Sequence, residues 1–318
     1  MKKDLISIQD LTTQEIDELF NLTVELKRNK TKFNKVLAGK TLALIFQKPS
    51  NRTRVSFEVG MYQLGGNSVY LSPGEINLGV RETIKDAAKT ISRYVDGIVL
   101  RTFEHKNCLD MADAAGVPVI NGLSDFSHPC QALADLFTIG EKFSRLSHTW
   151  QKMGARLKGL TLAYVGDGNN VCNSLLFAAA KTGMNLAVAT PAGYAPDPEV
   201  VKQSKEIAKQ TLSQITITQD PLSAVNGAQV VYTDVWASMG QEEEVSKRKI
   251  IFKNFQINAR LLTNAAPGVL VMHCLPAHRG DEITDEIMDS KNSIVFDQAE
   301  NRMHIQKAIL IKLLGAKR

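Results

Sequence analysis

Residues 41–58 read TLALIFQKPSNRTRVSFE, and this stretch indicates the fold class. The apolar run from Thr41 to Phe46 has the length of a buried strand, and an amphipathic helical segment begins at Val55. Two arginines and several small polar residues lie between them. A strand that leads through a polar turn into a helix is the repeating unit of α/β proteins, so the stretch predicts a parallel sheet covered by helices.

The rest of the chain repeats this alternation. A capping box at Thr12 and Glu15 predicts a first helix over residues 13–28. The predicted strands are residues 41–46, 68–71, 97–100, 118–120, 161–165, 186–189, 215–218, 230–233, 269–273 and 293–296. The predicted helices that follow the first are residues 55–64, 84–94, 109–115, 130–141, 173–182, 198–209, 282–288 and 302–314.

A polar segment over residues 143–159 separates two sets of strands and predicts a domain boundary. We therefore expect two doubly wound α/β domains with central parallel sheets, formed by residues 1–142 and 143–301. Ligands of such sheets bind outside the carboxyl ends of the strands. Polar residues follow six predicted strands, which predicts an active site in the cleft between the domains; they are residues 50–54, 101, 127–131, 166–170, 234–240 and 274–279.

Composition excludes several classes of protein. The chain has 318 residues, 44% of them hydrophobic, which is enough for two packed cores. The net charge is +5, but the basic residues are scattered, so no nucleic-acid-binding tail is expected and an anionic small substrate fits equally well. The four cysteines are far apart and form no CxxC pair, which predicts neither a disulfide framework nor a zinc ribbon.

The first residues, MKKDLISIQD, do not resemble a targeting segment, because Asp4 and Asp10 interrupt any apolar run. No segment approaches the roughly 20 apolar residues of a membrane span. We expect a cytoplasmic protein that does not bind membranes.

The segment SNRTR suits a phosphate group. Residues that lead into a helix offer free backbone N–H groups, and Ser50, Arg52 and Thr53 add hydroxyl and guanidinium donors. Arg101 ends another predicted strand and supplies a second cation. The alternative is a capped helix whose arginines face solvent.

Histidine and glycine motifs follow two further strands. In HPCQ, the imidazole of His128 is placed to polarise a carbonyl oxygen and Gln131 to bind an amide, although a single histidine is more often structural. The segment GDGNN at 166–170 resembles a dinucleotide-binding loop, but Val171 leaves GxGxxG incomplete, so the pattern favours asparagine side chains that face the site.

Two motifs in the second half carry a carboxylate and a thiol. In DVWASMG, Asp234 suits a substrate ammonium group and Ser238 an α-carboxylate or α-amine, while a helix N-cap is the alternative for Asp234. In HCLPAHRG, Cys274 is either a reactive thiolate or a buried, inert side chain. A metal site at His273 and His278 is disfavoured because HExxH is absent, and Leu275–Pro276 has the position of a cis turn.

Taken together, these motifs resemble the aspartate/ornithine carbamoyltransferase family, and within it the members that act on ornithine. The resemblance covers nearly the whole chain. It is carried by SNRTRVSFEVGMYQLGG, RETIKDAAKTISRYVDGIVLRTF, HPCQALADLFT, GDGNN, DVWASMG and HCLPAHRGDEIT, in that order. It implies carbamoyl transfer from carbamoyl phosphate to the δ-amine of L-ornithine, giving citrulline and phosphate, without a metal or an organic cofactor.

The resemblance also implies the site residues. The implied catalytic residues are Arg101, His128, Asp234 and Cys274. Carbamoyl phosphate would be bound by Ser50, Asn51, Arg52, Thr53, Asn77, Arg101, His128, Gln131, Cys274, Leu275 and Arg302. Ornithine would be bound by Asn170, Asp234, Ser238 and Met239.

The family forms trimers in which a loop of one subunit completes the site of the next. Two helices, here near residues 130–143 and 302–314, join its domains, and the last helix, about 302–318, would pack back on the first domain. The family usually has Thr or Leu where Asn51 stands, and Gln where Asn77 aligns. These two departures change side chains of the phosphate loop and of the intersubunit loop.

Three other functions remain as alternatives. The acceptor could be another amine, such as putrescine or a modified ornithine, which the SMG segment disfavours; aspartate is disfavoured because HCLP stands where basic residues would be needed. The chain could instead be a binding homologue without activity, or a dinucleotide-dependent oxidoreductase.

Overall fold

The computed structural model describes residues 3–29, 31–144, 156–237 and 244–315. It divides into two compact units, one formed by Met1–Phe137 with Asn301–Arg318 and the other by Thr138–Glu300. The unit boundaries fall inside two helices, after Phe137 and after Glu300. None of the helices in the described part combines the length and apolar character that a membrane span requires.

The first unit is built from strands that alternate with helices. Thr12 caps the first helix and forms the predicted box with Glu15. The elements are α1 (Thr13–Arg28), β1 (Thr41–Phe46), α2 (Asn51–Gln63), β2 (Asn67–Leu71), α3 (Pro73–Ile76), α4 (Ile84–Ile91), β3 (Gly97–Arg101), α5 (His105–Ala114), β4 (Val119–Leu123) and α6 (Pro129–Ser144).

The four strands form a parallel sheet in the order β2-β1-β3-β4. Strands β1 and β3 are almost wholly buried, which explains their continuous apolar sequences, TLALIF and GIVL. From β1 the chain crosses to β2 on one side, and β3 lies on the other side. The point where the order reverses therefore falls between β1 and β3, and ligands of such sheets bind there.

The second unit follows the same plan with one strand more. Its elements are β5 (Thr161–Val165), α7 (Asn170–Thr182), β6 (Asn185–Ala189), α8 (Pro198–Thr211), β7 (Ile215–Thr218), α9 (Pro221–Val225), β8 (Val230–Thr233), α10 (Val245–Ile251), α11 (Ala259–Leu262), β9 (Leu270–His273) and α12 (Asp285–Met288). The parallel sheet has the order β7-β6-β5-β8-β9, so its switch point lies between β5 and β8. The last helix, α13, spans Val295–Leu314.

The structure confirms the predicted class of two parallel-sheet α/β domains, and it corrects one strand. Residues 293–296 were predicted as a strand, but Ser293 makes only an isolated bridge to Val271 and α13 begins at Val295. The apolar pair at positions 294 and 295 is buried against the unit, which a short apolar run cannot distinguish from strand burial. Most of the predicted boundary segment, residues 145–155, lies outside the described residues.

Candidate active site

The predicted phosphate-binding residues follow the two strands at the switch point of the first sheet. Phe46 of β1 pairs with Arg101 of β3, and the N–H of Gln47 donates to the Arg101 carbonyl at 2.8 Å. The pairing places the turn after β1 beside the end of β3. Residues 47–54 and Arg101, which are distant in sequence, therefore share one edge of the sheet.

Ser50 organises the start of α2. It is the N-cap, and its Oγ accepts from the N–H of Thr53 at 3.3 Å. Its hydroxyl also donates to Thr53 Oγ1 at 3.1 Å. Thr53 is fully buried, and its Oγ1 accepts a hydrogen bond from Nη2 of Arg302 in α13. The helix N-terminus and a guanidinium group are thus joined through one threonine hydroxyl.

Three arginines, Arg52, Arg101 and Arg302, lie close to one another in this unit. Arg101 is 6% exposed and Arg302 is 5% exposed. Burial, and then the nearby positive charges of Arg302 and Arg52, lower the pKa of Arg101 to about 9. Among the described residues, the buried Nε atoms of Arg52 and Arg101 have no hydrogen-bond partner. Like charges held this closely are unfavourable alone and suit a doubly charged anion.

His128 lies against the same cations. Its Nε2 is 3.3 Å from Arg302 Nη2. Because the guanidinium can only donate, this contact assigns the Nε2 lone pair as acceptor and the neutral tautomer. Burial, and then Arg302, Arg101 and Arg52, hold the pKa of His128 well below its usual range. Gln131, less than one turn later in α6, is buried and donates to Asp135 Oδ1 at 2.8 Å; its Oε1 has no partner in the described part of the chain.

Two predicted carbamoyl phosphate residues have exposed side chains. Asn51 is the first residue of α2 and is exposed. Asn77 ends α3 in the left-handed conformation, with φ 42°, and its side chain is also exposed. No described contact of either side chain reaches Thr53 or the three arginines.

In the second unit, strand register brings the carboxylate and the thiol together. Thr233 of β8 pairs with His273 of β9, so the next residues, Asp234 and Cys274, emerge side by side. Cys274 Sγ donates to Asp234 Oδ1 at 2.8 Å. This edge lies at the end of β8, one of the two strands at the switch point of the second sheet.

Asp234 is held on both carboxylate oxygens. Oδ1 also accepts from the N–H of Val235 at 2.8 Å, and Oδ2 accepts from Asn169 Nδ2 at 2.8 Å. The resemblance implies that Asn170 binds ornithine, and its neighbour Asn169, which was not predicted, is the residue that contacts Asp234. Asn169 is the N-cap of α7, a role that the GDGNN turn followed by a helix could have indicated.

The HCLP turn is fixed by a buried pair of side chains. His273 and Glu282 are both fully buried, with 3.0 Å between Nε2 and Oε1. His273 Nδ1 accepts from the N–H of Leu275 at 2.8 Å, which assigns the ring proton to Nε2. Leu275 has φ 60°, and the Leu275–Pro276 bond is cis. Glu282, which sequence reasoning did not select, is therefore the residue that orients His273.

A metal site was considered for this turn. Ligand atoms of Asp234, His273 and Cys274 lie within 4.8 Å of one another. Both ring nitrogens of His273 are already engaged, one by the Leu275 amide and one by Glu282. The histidine therefore does not fit a metal ligand in this arrangement. All four cysteines lie in the described part of the chain, and none forms a disulfide.

Ser238 and Met239, the remaining predicted ornithine residues, lie outside the described residues.

Two charged residues beside Asp234 were not predicted from the sequence. Arg248 in α10 forms a buried ion pair with Asp167 in the GDGNN turn, with 3.0 Å between Nη1 and Oδ2. A basic residue in a run such as SKRK reads as a solvated helix face, so its burial had no signal in the sequence.

Comparison with known proteins identifies the family of the chain. The family described as aspartate/ornithine carbamoyltransferase matches with its carbamoyl-P binding domain over residues 3–141 and with its Asp/Orn binding domain over residues 158–313. The chain therefore belongs to the aspartate/ornithine carbamoyltransferase family.

Individual relatives are similar over almost their full length. An ornithine carbamoyltransferase of Thermococcus kodakarensis is 52% identical over 316 residues, covering 98% of this chain and 96% of the relative. An ornithine carbamoyltransferase of Pyrococcus furiosus, named as anabolic, is 50% identical with the same coverage. The solved ornithine carbamoyltransferase structure from Pyrococcus furiosus matches with a TM-score of 0.92, over 99% of this chain and 98% of that one.

Proposed function

We propose that this protein is an ornithine carbamoyltransferase, which transfers the carbamoyl group of carbamoyl phosphate to the δ-amine of L-ornithine and releases L-citrulline and phosphate in arginine metabolism. Membership of the family supports the reaction class. The observation that carries the choice of acceptor is the Asp234 carboxylate, hydrogen-bonded to Cys274 at 2.8 Å. A carboxylate suits an acceptor that carries amino groups, whereas a second substrate carboxylate would require cations there.

Carbamoyl phosphate binds to residues of the first domain, 1–142 with about 302–318. Ser50, Arg52, Thr53 and the first N–H groups of α2 hold the phosphate, together with Arg302. The closeness of Arg52, Arg101 and Arg302 supports this assignment, because a dianion offsets the mutual repulsion of their positive charges. Asn51 lies at the same helix start, where its backbone N–H remains a donor whatever its side chain.

The carbamoyl group of carbamoyl phosphate is bound by other polar groups than those that hold its phosphate. Arg101 and neutral His128 donate hydrogen bonds to the carbonyl oxygen, and Gln131 with the backbone of Cys274 and Leu275 accepts from the carbamoyl amide. The low pKa of His128 supports a donor that does not add a further charge beside three arginines. These donors would be strongest when negative charge develops on the carbonyl oxygen.

Ornithine binds to residues of the second domain, 143–301. Asp234, Asn170, Ser238 and Met239 hold the amino acid, and Asn169 positions Asp234. The δ-amine resembles that of lysine, with a pKa of about 10.4, so neutralising it near pH 7 costs roughly 4 to 5 kcal/mol. Asp234 and Cys274 orient the amine and help to remove its proton.

The bond changes then balance without a cofactor. The neutral amine attacks the carbamoyl carbon and forms the new C–N bond, and the carbonyl oxygen gains negative charge. Collapse of this intermediate breaks the C–O bond to phosphate, which leaves as an anion held by Arg52 and Arg302. The nitrogen passes its extra proton to the departing phosphate oxygen, so the products are citrulline and hydrogen phosphate.

The functional assembly is a homotrimer in the cytoplasm. Asn77 is exposed on a loop that also exposes Val80, at 82%, which supports a contact made with another copy of the chain rather than within its own unit. In this assembly, Asn77 reaches carbamoyl phosphate in the neighbouring subunit. Equilibrium sedimentation tests the trimer; a monomer that is fully active would contradict it.

A steady-state assay with a panel of acceptors tests the activity. We expect citrulline and phosphate to form with L-ornithine, and a kcat/KM at least about a hundredfold lower with putrescine, L-lysine and L-aspartate. Equal turnover of putrescine and ornithine would refute the assignment of the acceptor. Binding of carbamoyl phosphate without phosphate release, for every amine, would identify a binding homologue instead.

A further inference from the structure

Arg248 makes an unusual set of contacts for a residue in a lysine-rich helix. It is 6% exposed, and its guanidinium group has three acceptors. Nη1 donates to Asp167 Oδ2 at 3.0 Å and to the carbonyl oxygen of Trp236 at 2.7 Å. Nε donates to Glu244 Oε2 at 2.8 Å. One side chain therefore joins α10 to the ends of both switch-point strands, β5 and β8.

Both connections lead to Asp234. On the β5 side, the N–H of Asn169 donates to the Asp167 carbonyl at 2.8 Å, and Asn169 Nδ2 donates to Asp234 Oδ2 at 2.8 Å. On the β8 side, Trp236 lies two residues after Asp234. The guanidinium group thus restrains Asp234 in two ways. One acts through Asn169, whose amide binds the Asp234 side chain, and the other acts through the backbone that follows Asp234.

The surroundings of Arg248 are packed and allow little adjustment. Its guanidinium lies 4.8 Å from the Tyr194 ring, which contacts Phe252 edge-on at 4.8 Å. The Trp236 and Phe252 rings stack at 5.7 Å. In the GDGNN turn that carries Asp167, a Cβ at Gly168 would come within 2.2 Å of the Pro196 backbone nitrogen. A rigid setting of this kind transmits a lost contact as a shift of the strand end.

We propose that Arg248 is a positioning residue for the acceptor substrate: with Asp167 it sets Asp234 in the geometry that binds ornithine, without touching ornithine itself. This inference rests on the proposed function. It gives Arg248 and Asp167 a role in substrate binding in addition to their ion pair. The planar guanidinium is required because it serves Asp167 and the Trp236 carbonyl from one nitrogen and Glu244 from another, which an ammonium group at the same place does not reproduce.

The test compares Arg248→Met and Arg248→Lys with a matched control, Lys249→Met. Lys249 is the next residue of α10 and forms an exposed ion pair with Asp281 at 2.8 Å. We expect Arg248→Met to raise the KM for ornithine about ten- to a hundredfold, the range seen when supporting residues of a site are removed. The KM for carbamoyl phosphate should change less than about twofold, because its cations lie in the other unit. Arg248→Lys should be intermediate, and Lys249→Met should match the wild type.

A structural role alone predicts a different result. If Arg248→Met lowers the melting temperature while both KM values stay at the wild-type level, or raises both KM values equally, the positioning role is wrong. A variant that does not fold is replaced by Asp167→Asn, which keeps the volume of the side chain and removes its charge. Asp167→Asn should raise the ornithine KM, and the double variant with Arg248→Met should show less than the sum of the two effects.

The pH dependence gives a second readout. Burial raises the pKa of Asp167 to about 6 although Arg248 opposes the rise, and Asp234 and Glu244 are the other charged groups that face it. Below pH 6 the wild-type carboxyl becomes neutral, so the ratio of ornithine KM between Asp167→Asn and wild type should fall toward one. Because the ionisation of ornithine affects both KM values equally, it does not change this ratio. A ratio that stays constant from pH 5 to 8 would overturn the role of the ion pair, whereas a wild type inactive with ornithine would overturn the proposed function itself.

Discussion

Cys274 Sγ donates a 2.8 Å hydrogen bond to Oδ1 of Asp234, although the two residues are 40 positions apart. The register of β8 and β9 places them side by side, so the contact is a consequence of the sheet and not of a flexible loop. It gives the carboxylate one donor that a substrate amine can replace or share.

The Cys274 contact predicts a difference between two substitutions. Cys274→Ser keeps a donor to Asp234 and should retain most of the affinity for ornithine. Cys274→Ala removes a hydrogen bond to a charged group, worth about 1.5 to 3 kcal/mol, and should reduce kcat/KM for ornithine at least about tenfold. Steady-state kinetics with ornithine as the varied substrate measure both. Equal losses in the two variants would show that the donor to Asp234 is not what matters.

The environment of His128 predicts a neutral imidazole. Its pKa lies below the usual value, so the folded state binds fewer protons than the unfolded state and stability falls as pH drops below about 6.5. The ring signals in proton–carbon NMR, assigned with His128→Asn, should show no titration step between pH 6 and 8. Binding of carbamoyl phosphate should shift the titration step of His128 to higher pH, because its negative charge offsets the positive charges of the three arginines. A step near pH 6.5 in the free protein would contradict the assignment.

The arginine cluster predicts a substitution that stabilises the protein and removes its function. Arg101→Met relieves the repulsion from Arg302 and Arg52 and the cost of burying a charge. We expect a gain of about 1 to 3 kcal/mol in the ligand-free protein, by analogy with buried ionic groups replaced by apolar ones, and no measurable activity.

Thermal unfolding checks the gain, and Arg248→Met is the matched control. Arg248 is equally buried at 6% exposed, but it has an ion-pair partner, so its loss should lower the melting temperature. The penalty at Arg101 is present below pH 9 and is relieved as pH rises toward 12.5, since the folded state then no longer carries the charge. A melting temperature lowered by Arg101→Met at pH 7 would rule out the repulsion.

The His273–Glu282 pair predicts a stability effect with a conservative rescue. Glu282→Ala leaves the buried Nε2–H of His273 without its acceptor, which costs about 1 to 3 kcal/mol and frees the ring that holds the Leu275 amide. Glu282→Gln keeps an acceptor oxygen and should lose much less. Urea unfolding and the KM for carbamoyl phosphate measure the two consequences. Equal losses of stability in the two variants would show that the hydrogen bond between His273 and Glu282 does not stabilise this turn.

The sequence predicted strands well and contacts between distant residues poorly. The bounds of β1, β5, β7 and β8 were predicted as observed, because buried parallel strands are short apolar runs bounded by polar turns. Residues 293–296 fail for the same reason: a helix start that is buried has the same composition. Periodicity alone cannot separate the two.

In the candidate site too, the positions along the chain were easier to predict than the contacts between side chains. Where the structure describes them, the polar residues predicted after strands lie at the carboxyl edge of their own sheet, because the carboxyl ends of parallel strands meet at one edge. The contacts of Asn169, Arg248, Asp167 and Glu282 were not predicted, because they depend on which side chains meet across the sheet. Burial of Arg248 is decided by the aromatic rings of Tyr194 and Phe252, which no local pattern connects to it.

The central claim is that the anion and the amino acid are bound by separate groups of residues, and titration of carbamoyl phosphate tests it most directly. Calorimetry measures the Kd of carbamoyl phosphate for Arg52→Ala and Asp234→Ala, with the wild type as reference. We predict that Arg52→Ala weakens carbamoyl phosphate at least about a hundredfold, equivalent to roughly 2.7 kcal/mol, and that Asp234→Ala changes its Kd less than about twofold while abolishing citrulline formation. Wild-type affinity in Arg52→Ala together with lost affinity in Asp234→Ala would contradict the account.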